Sequence, residues 1–358
     1  MVGHGITGAV VCCGAIVVVA EPVTIPLLRR LAAIDVPGAR SSHDVPTPRG
    51  GGIAIALGLL VAMGLAGGGA SGTFMVAVAF FCLLGFADDL HALPAGRRLI
   101  LQGAGSALVA VLVILPMRAS LAMAAALAVA VTVWITGFVN AFNFMDGVNG
   151  ISAAHALTAG VAYACYGEWA QQRFVLAAGL LVAVGALVFL PWNAGRARVF
   201  LGDAGSYTFG AALAVLAAYA VLRGVPAEAV LGPLALYLAD TAWALQRRIR
   251  ARERWLQAHR SHVYQRWCDA GWSHQEVTLL TGAFSVLLTL LGTVSLIGSP
   301  ALRAAADVAA LAVLGGYLSS PALFRRLGLD EEAAPSRGAR TFAQASPQRD
   351  AGPIGQSR

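Results

Sequence analysis

Four aspartates stand where apolar runs of this chain end. Asp88 and Asp89 close "FFCLLGFADD", Asp146 follows "NAFNFM", and Asp203 sits in "GDAGS" ahead of another run. A single carboxylate at a helix end is ordinarily a solvated surface group. Four on one side, near Gly and Asn, call for more. Carboxylates gathered against apolar walls repel one another unless a cation lies among them. An all-oxygen set suits Mg²⁺, or Mn²⁺ in its place, rather than Zn²⁺. Mg²⁺ keeps waters and bridges to phosphates, so the acids point to a phosphate-bearing substrate. Neighbouring helical residues diverge by about 100°, which makes Asp88 and Asp89 two separate tools rather than one clamp.

Other polar stretches agree with an anionic ligand. "TPRGGG" offers Arg49 and three glycines before a helix start, where backbone N–H groups can hold an anion or merely form a flexible loop. His259 and His262 in "AHRSHVYQRW" are three apart, on one helix face. No third ligand is nearby for zinc, so imidazoles contacting a pyrophosphate fit better; a basic segment lying on anionic lipid is the alternative. Asn140, Asn143 and Asp146 repeat a three-residue spacing. Amides and a carboxylate read the edge of a base or sugar, and equally they cap helices.

These groups must be positioned by membrane elements. Of the 358 residues, 58% are hydrophobic and only 12% charged, with a mean hydropathy of +0.72; soluble proteins carry about 25% charged residues. Eleven apolar runs, near 6–27, 52–68, 73–87, 99–116, 120–138, 150–166, 174–191, 205–222, 225–245, 276–298 and 301–322, are candidate spans. The first lacks a basic n-region and a small-residue cleavage site, so it reads as a retained helix. The fold class expected is an all-α integral membrane protein of about 11 transmembrane helices. All 25 basic residues are Arg. An N-out, C-in topology leaves only Arg118, Arg173, Arg223 and Arg303 outside, as the positive-inside rule demands. The membrane unit is expected over 1–324, followed by a polar, Pro- and Ser-bearing cytoplasmic tail, 325–358, that reads as disordered. The five cysteines have no metal or redox spacing. No nucleic-acid motif appears, and the net charge of +7 follows from topology and anionic lipid.

With that topology the outer loops are short and bland. The inner ones hold "DVPGARSSHDVPTPRGGG", "GFADDLHALPAGRR", "NAFNFMDGVNG", "PWNAGRARVFLGDAGS" and "RRIRARERWLQAHRSHVYQRW". Five loops converge on one face, which suggests a site at the membrane boundary.

Together these motifs resemble the polyprenyl-phosphate N-acetylhexosamine-1-phosphate transferases, which include the peptidoglycan translocase and the O-antigen-initiating enzymes. The matching pieces, "RSSHDVPTPRGGG", "GFADDLHALPAGRRLILQ", "NAFNFMDGVNGIS", "VFLGDAGS" and "HRSHVYQ", come in family order over about residues 35–265. The resemblance implies a bacterial inner-membrane enzyme with a cytoplasm-facing site, and relatives imply a homodimer. Its reaction would transfer an aminosugar-1-phosphate from a UDP-N-acetylaminosugar to undecaprenyl phosphate, releasing UMP, with Mg²⁺ required. Carried over by motif, Asp203 and Asp89 serve the metal and Asp88 meets the lipid phosphate. Asn140, Asn143 and Asp146 line the nucleotide-sugar side. Arg40, His43, His259 and His262 belong to the diphosphate or its neighbourhood, and Arg98 holds a position usually basic in the family. Relatives often carry a fuller histidine cluster than "HRSHVYQ". That departure resembles enzymes starting O-antigen or capsule with deoxy-aminosugars such as N-acetylfucosamine or N-acetylquinovosamine, beside N-acetylglucosamine.

The competing class is an ion-coupled secondary transporter, since intramembrane acids couple ions. Transporters bind near the midplane at broken helices, whereas these acids lie at helix ends on one side. A non-catalytic scaffold would leave the acid cluster without a purpose.

Overall fold

A computed structural model describes residues 2–37, 45–252 and 261–326. Each of the eleven apolar runs is helical there, because unbroken Ala, Leu, Val and Gly leave the backbone no partner in lipid other than itself. The helices are α1 (Val2–Arg30), α2 (Gly52–Ala66), α3 (Ser71–His91), α4 (Ala95–Ile114), α5 (Leu121–Met145) and α6 (Ile151–Trp169). They continue as α7 (Arg173–Asn193), α8 (Gly202–Leu222), α9 (Ala227–Leu231), α10 (Ala235–Arg250), α11 (Val263–Asp269), α12 (His274–Thr293) and α13 (Pro300–Arg326). A two-residue strand β1 (Ile34–Asp35) pairs antiparallel with β2 (Thr47–Pro48).

Among the described residues, eight helices are long and apolar enough to cross a membrane, rather than the eleven expected. The difference has three sources. Helix α2 has 15 residues. Helix α6 carries Ser152, His155 and Glu168 and falls short in apolarity. The run at 225–245 is broken, because Gly232 and Pro233 turn the chain through a 3₁₀ segment between α9 and α10; proline supplies no N–H to continue a helix.

Helix α8 is the axis of the bundle. Ala204 through Ala220 are all buried, and apart from Ser206, Tyr207 and Thr208 near its start the segment is apolar on nearly every face, as an enclosed helix must be. Around it α3, α5, α2 and α6 pack directly. Small residues set the separations. A Cβ on Gly179 of α7 would lie 2.5 Å from the Ala164 nitrogen of α6, and one on Gly160 would lie 2.7 Å from the Ala183 nitrogen. These two helices therefore meet backbone to backbone, the arrangement that drives association in lipid.

Replacing Gly179 with Val is expected to destabilise the bundle by about 1–3 kcal/mol. The same change at Gly103 on α4, where no atom lies within 4 Å of the would-be Cβ, should be nearly neutral. Thermal unfolding of both variants in detergent checks this; equal shifts would contradict the packing described.

Candidate active site

The C-terminal ends of α1, α3, α5 and α7 and the N-terminal ends of α2, α4, α6 and α8 lie together at one end of the bundle. Helix α8 begins there with a difficulty. Its first N–H groups have no intrahelical acceptor, and Leu201, which precedes it, offers no side-chain cap. Asp89, from the last turn of α3, supplies one. Its Oδ1 accepts from the Asp203 N–H at 2.9 Å and its Oδ2 from the Ala204 N–H at 3.0 Å. Arg49 completes the arrangement, donating from Nε to Asp89 Oδ1 at 2.7 Å. The Asp89 side chain is 0% exposed.

Such closeness between α3 and α8 needs glycine. A Cβ on Gly85 would fall 2.1 Å from the Asp203 carbonyl oxygen, and one on Gly52 would fall 2.0 Å from Gly205 Cα. Gly202 has a φ of +72°, and a Cβ there would meet Asp89 Oδ2 at 2.6 Å, so both conformation and space require the missing side chain.

Of the two carboxylates that Arg49 bridges, Asp203 is the more accessible, at 17% exposed. Arg49 Nη2 donates to its Oδ2 at 2.9 Å and Asn143 Nδ2 to its Oδ1 at 2.7 Å. Asn143 also donates to Ser206 Oγ at 2.9 Å, tying the end of α5 to α8. With one hydrogen bond per oxygen, Asp203 keeps lone pairs for another ligand. It opens into a cavity of about 350 Å³, whose walls include Asp35, Arg49, Asn143, Asp146, Asn149 and Gln265. A second cavity of about 470 Å³ shares Asn149 and Phe200 with the first and reaches Arg196 and His274.

Electrostatics follow from the enclosure. Desolvation pushes the Asp146 carboxyl up to about 7, with Arg49 opposing the rise and Asp89 adding to it. Burial works against the charge of Arg49, but Asp203 and Asp89 outweigh it and hold the guanidinium above its ordinary pKa.

Asp88 faces elsewhere, as the divergence of neighbouring helical residues requires. It is 5% exposed. Its Oδ1 accepts from the Leu93 N–H at 2.8 Å, and its Oδ2 from Tyr207 Oη at 2.7 Å and Arg98 Nη1 at 3.4 Å. Ala92, in the left-handed conformation, and Pro94 end α3 and start α4 at this point, which swings Arg98 back onto Asp88.

The expected site residues therefore part ways. Asp89, Asp203, Asn143 and Asp146 come together around or beneath one cavity. Asp89, expected from the motif to serve the metal, lies behind Asp203, where its oxygens accept from the Asp203 and Ala204 N–H groups and from Arg49 and fix the start of α8. Asn140 is not among the cavity's lining residues: its Nδ2 donates to Gln102 Oε1 at 2.7 Å and to the Thr136 carbonyl at 2.8 Å, within the α4–α5 contact. His262 precedes α11, and its Nδ1 pairs with Asp240 Oδ1 at 3.2 Å. Asp240, fully buried, also accepts from Tyr317 Oη at 2.7 Å and from the Val263 N–H. This node docks α11 so that Tyr264 Oη donates to the Phe144 carbonyl at 3.0 Å and Gln265 reaches the cavity. Arg40, His43 and His259 lie outside the described residues.

The glycines of "TPRGGG" do not form an open anion nest. Gly50 and Gly51 both donate to the Phe200 carbonyl, at 3.1 and 3.0 Å, and Gly52 donates to that of Leu201 at 3.0 Å. They lash the first loop to the start of α8 and leave Arg49 as the ligand-facing part. Asp35, Asn149, Gln265, Tyr207 and Asp240 have no site role in the sequence reading. Asn149 and Gln265 lie inside recognised motifs and Asp35 just ahead of one, whereas Tyr207 and Asp240 lie within helices whose local sequence gives no sign of a polar partner.

The donor set fits a hard divalent cation. Asp203 and Asp146 bring carboxylate oxygens and Asn143 an amide to one wall. No three His, Cys, Asp or Glu side chains converge on one point among the described residues. A site with few protein ligands suits Mg²⁺, which retains waters and takes its remaining oxygens from phosphates.

Removing the Asp89 side chain uncaps α8 and strips Arg49 of its inner partner. Asp89→Ala is expected to cost about 3 kcal/mol, read as a lowered thermal unfolding temperature, while Asp203→Ala, at the cavity surface, costs much less. Equal losses would contradict the division between holder and ligand.

The sequence profile described as glycosyl transferase family 4 matches residues 72–221, from α3 through α8. The "Undecaprenyl-phosphate alpha-N-acetylglucosaminyl 1-phosphate transferase" of Thermotoga maritima is 30% identical over 268 residues, covering 72% of this chain and 80% of that one. The "Probable undecaprenyl-phosphate N-acetylglucosaminyl 1-phosphate transferase" of Bacillus subtilis is 28% identical over 274 residues, covering 71% and 76%. The "Phospho-N-acetylmuramoyl-pentapeptide-transferase" of Anoxybacillus flavithermus is 32% identical over 231 residues, covering 56% and 71%. With the loop motifs gathered at one end of a helical bundle and relatives matched over most of their length, the chain belongs to glycosyl transferase family 4, the polyprenyl-phosphate N-acetylhexosamine-1-phosphate transferases that its motifs resemble.

Proposed function

We propose that this protein transfers an N-acetylaminosugar-1-phosphate from a UDP-sugar to undecaprenyl phosphate in the bacterial inner membrane, releasing UMP. The observation that carries the reading is Asp203, held by Asp89 and Asn143 with oxygens open to a cavity that Arg49 and Asp146 also line. The relatives, each a polyprenyl-phosphate N-acetylglucosamine-phosphate or phospho-N-acetylmuramoyl transferase by name, support the same chemistry. N-acetylglucosamine in the names of several makes UDP-N-acetylglucosamine the first donor to test. The "HRSHVYQ" departure keeps deoxy-aminosugars such as N-acetylfucosamine and N-acetylquinovosamine as the second. Initiation of an O-antigen or capsule-type glycan is the role this donor class fits. The arginine distribution supports N-out, C-in, with the site facing the cytoplasm.

In the reaction, an oxygen of the lipid phosphate attacks the β-phosphorus of the UDP-sugar. The bond from that phosphorus to the bridging oxygen breaks, and UMP leaves with the electron pair. Phosphoryl transfer of this kind depends on charge neutralisation and in-line placement. A phosphate monoester has a second pKa near 6, so the nucleophile is mostly dianionic at neutral pH and needs little deprotonation. Asp88 and its partner Arg98 form the lipid-phosphate side, Asp88 orienting the nucleophile and Arg98 supplying positive charge beside it. Arg49 faces the diphosphate, and Asn143 and Asp146 hold the nucleotide-sugar side. Mg²⁺ at Asp203, with Mn²⁺ as a substitute, would supply Lewis-acid neutralisation of the diphosphate oxygens.

The test is UMP release by purified full-length protein given undecaprenyl phosphate, Mg²⁺ and a panel of UDP-aminosugars. UMP should appear with at least one sugar, and Asp203→Ala should reduce it by about 10³-fold or more, the scale expected when a principal source of transition-state charge stabilisation is lost. No UMP with any sugar would favour ion-coupled transport, and near-normal turnover by Asp203→Ala would remove that residue from the site.

A further inference from the structure

Arg49 spans two carboxylates of unequal accessibility. Its Nε sits 2.7 Å from Asp89 Oδ1, whose side chain is 0% exposed, and its Nη2 sits 2.9 Å from Asp203 Oδ2, whose side chain is 17% exposed. The Arg49 side chain is one-third exposed and lines the cavity. A backbone bridge from Arg49 to Phe200, continued by the hydrogen bonds of Gly50 to Gly52, fixes the residue against the start of α8. The inner bond is thus enclosed, and the outer one lies at the cavity wall. Asp35 stands on the same cavity and adds negative charge near the guanidinium.

Resting on the proposed metal-assisted transfer, we infer that Arg49 is a built-in counter-cation that makes divalent-cation binding at Asp203 conditional on the arrival of a diphosphate. Arg49 satisfies Asp203 when no substrate is present, and its positive charge disfavours a second cation on the same carboxylate. A diphosphate reverses the balance. It brings negative charge to the cavity, gives the Nη2 arm of Arg49 a better partner, and leaves Asp203 free to ligate. Asp89 keeps the other arm in place throughout, so the exchange needs rotation of one guanidinium edge and no movement of helices. Such a device disfavours a charged centre at the bundle end when there is nothing to transfer.

The experiment measures two ligands separately on the purified full chain: Mn²⁺ alone by electron paramagnetic resonance, and UDP alone with metal chelated. Arg49→Ala and Arg49→Gln should bind Mn²⁺ tenfold or more tightly than the unaltered protein and bind UDP at least tenfold more weakly. Arg49→Lys should stay near the unaltered protein for Mn²⁺. Millimolar guanidinium should return Arg49→Ala toward the original Mn²⁺ affinity, which a purely structural role would not produce. Opposite signs for the two ligands separate the effect from misfolding, which loses both. If Asp203→Asn weakens Mn²⁺ binding but neither the Ala nor the Gln variant at Arg49 strengthens it, the inference is overturned and the metal assignment stands. If Asp203→Asn binds Mn²⁺ as the unaltered protein does, the metal assignment fails and the inference falls with it.

Discussion

The site depends on one buried carboxylate. Asp89 is fully enclosed and accepts the first N–H groups of α8 together with the guanidinium of Arg49. An ionised group removed from water survives only when paired and hydrogen-bonded, and here a helix terminus and an arginine provide both. The helix gains a cap and a negative charge at its positive end. Asp203 gains a fixed orientation, and the first loop gains an anchor. Three segments more than a hundred residues apart at the extremes are thereby joined at one point.

That constraint explains the glycines of the motifs better than ligand binding does. Gly85, Gly52, Gly205 and Gly202 exist because α2, α3 and α8 must approach until their backbones touch for Asp89 to reach the N–H groups. The "RGGG" and "GDAGS" stretches are two halves of one joint, stitched through the Phe200 and Leu201 carbonyls. Arg49 is the product of this joint that faces the ligand, and Asp88, on the neighbouring helix position, serves a second direction through Tyr207 and Arg98.

Much of this was legible in the sequence. Charge scarcity and apolar run length gave an all-helical membrane protein, and the location of acids and amides at run ends gave Asp203, Asn143 and Asp146 as neighbours. Run length alone overcounted the long apolar helices, because it does not register the break at Gly232–Pro233 or the polar burden of α6. The role of Asp89 was not readable either. A carboxylate at a run end does not announce that it also caps a helix more than a hundred residues away, and only the folded position of α8 reveals that bond. Asn140 shows the converse: its three-residue spacing from Asn143 is real, yet one helical turn carries it into the contact with Gln102. Asp240 and Tyr317 lie on separate helices, and nothing local in either announces the other.

The central claim is that Asp203 is the working ligand and Asp89 its holder. A cryo-electron microscopy map of the full chain with Mn²⁺ and UDP-N-acetylglucosamine tests it most directly. The ion is expected on Asp203, with the diphosphate between it and Arg49 and Asp89 still capping the Asp203 and Ala204 N–H groups. An ion ligated by Asp89 with those N–H groups released, or a nucleotide bound away from this cavity, would contradict it.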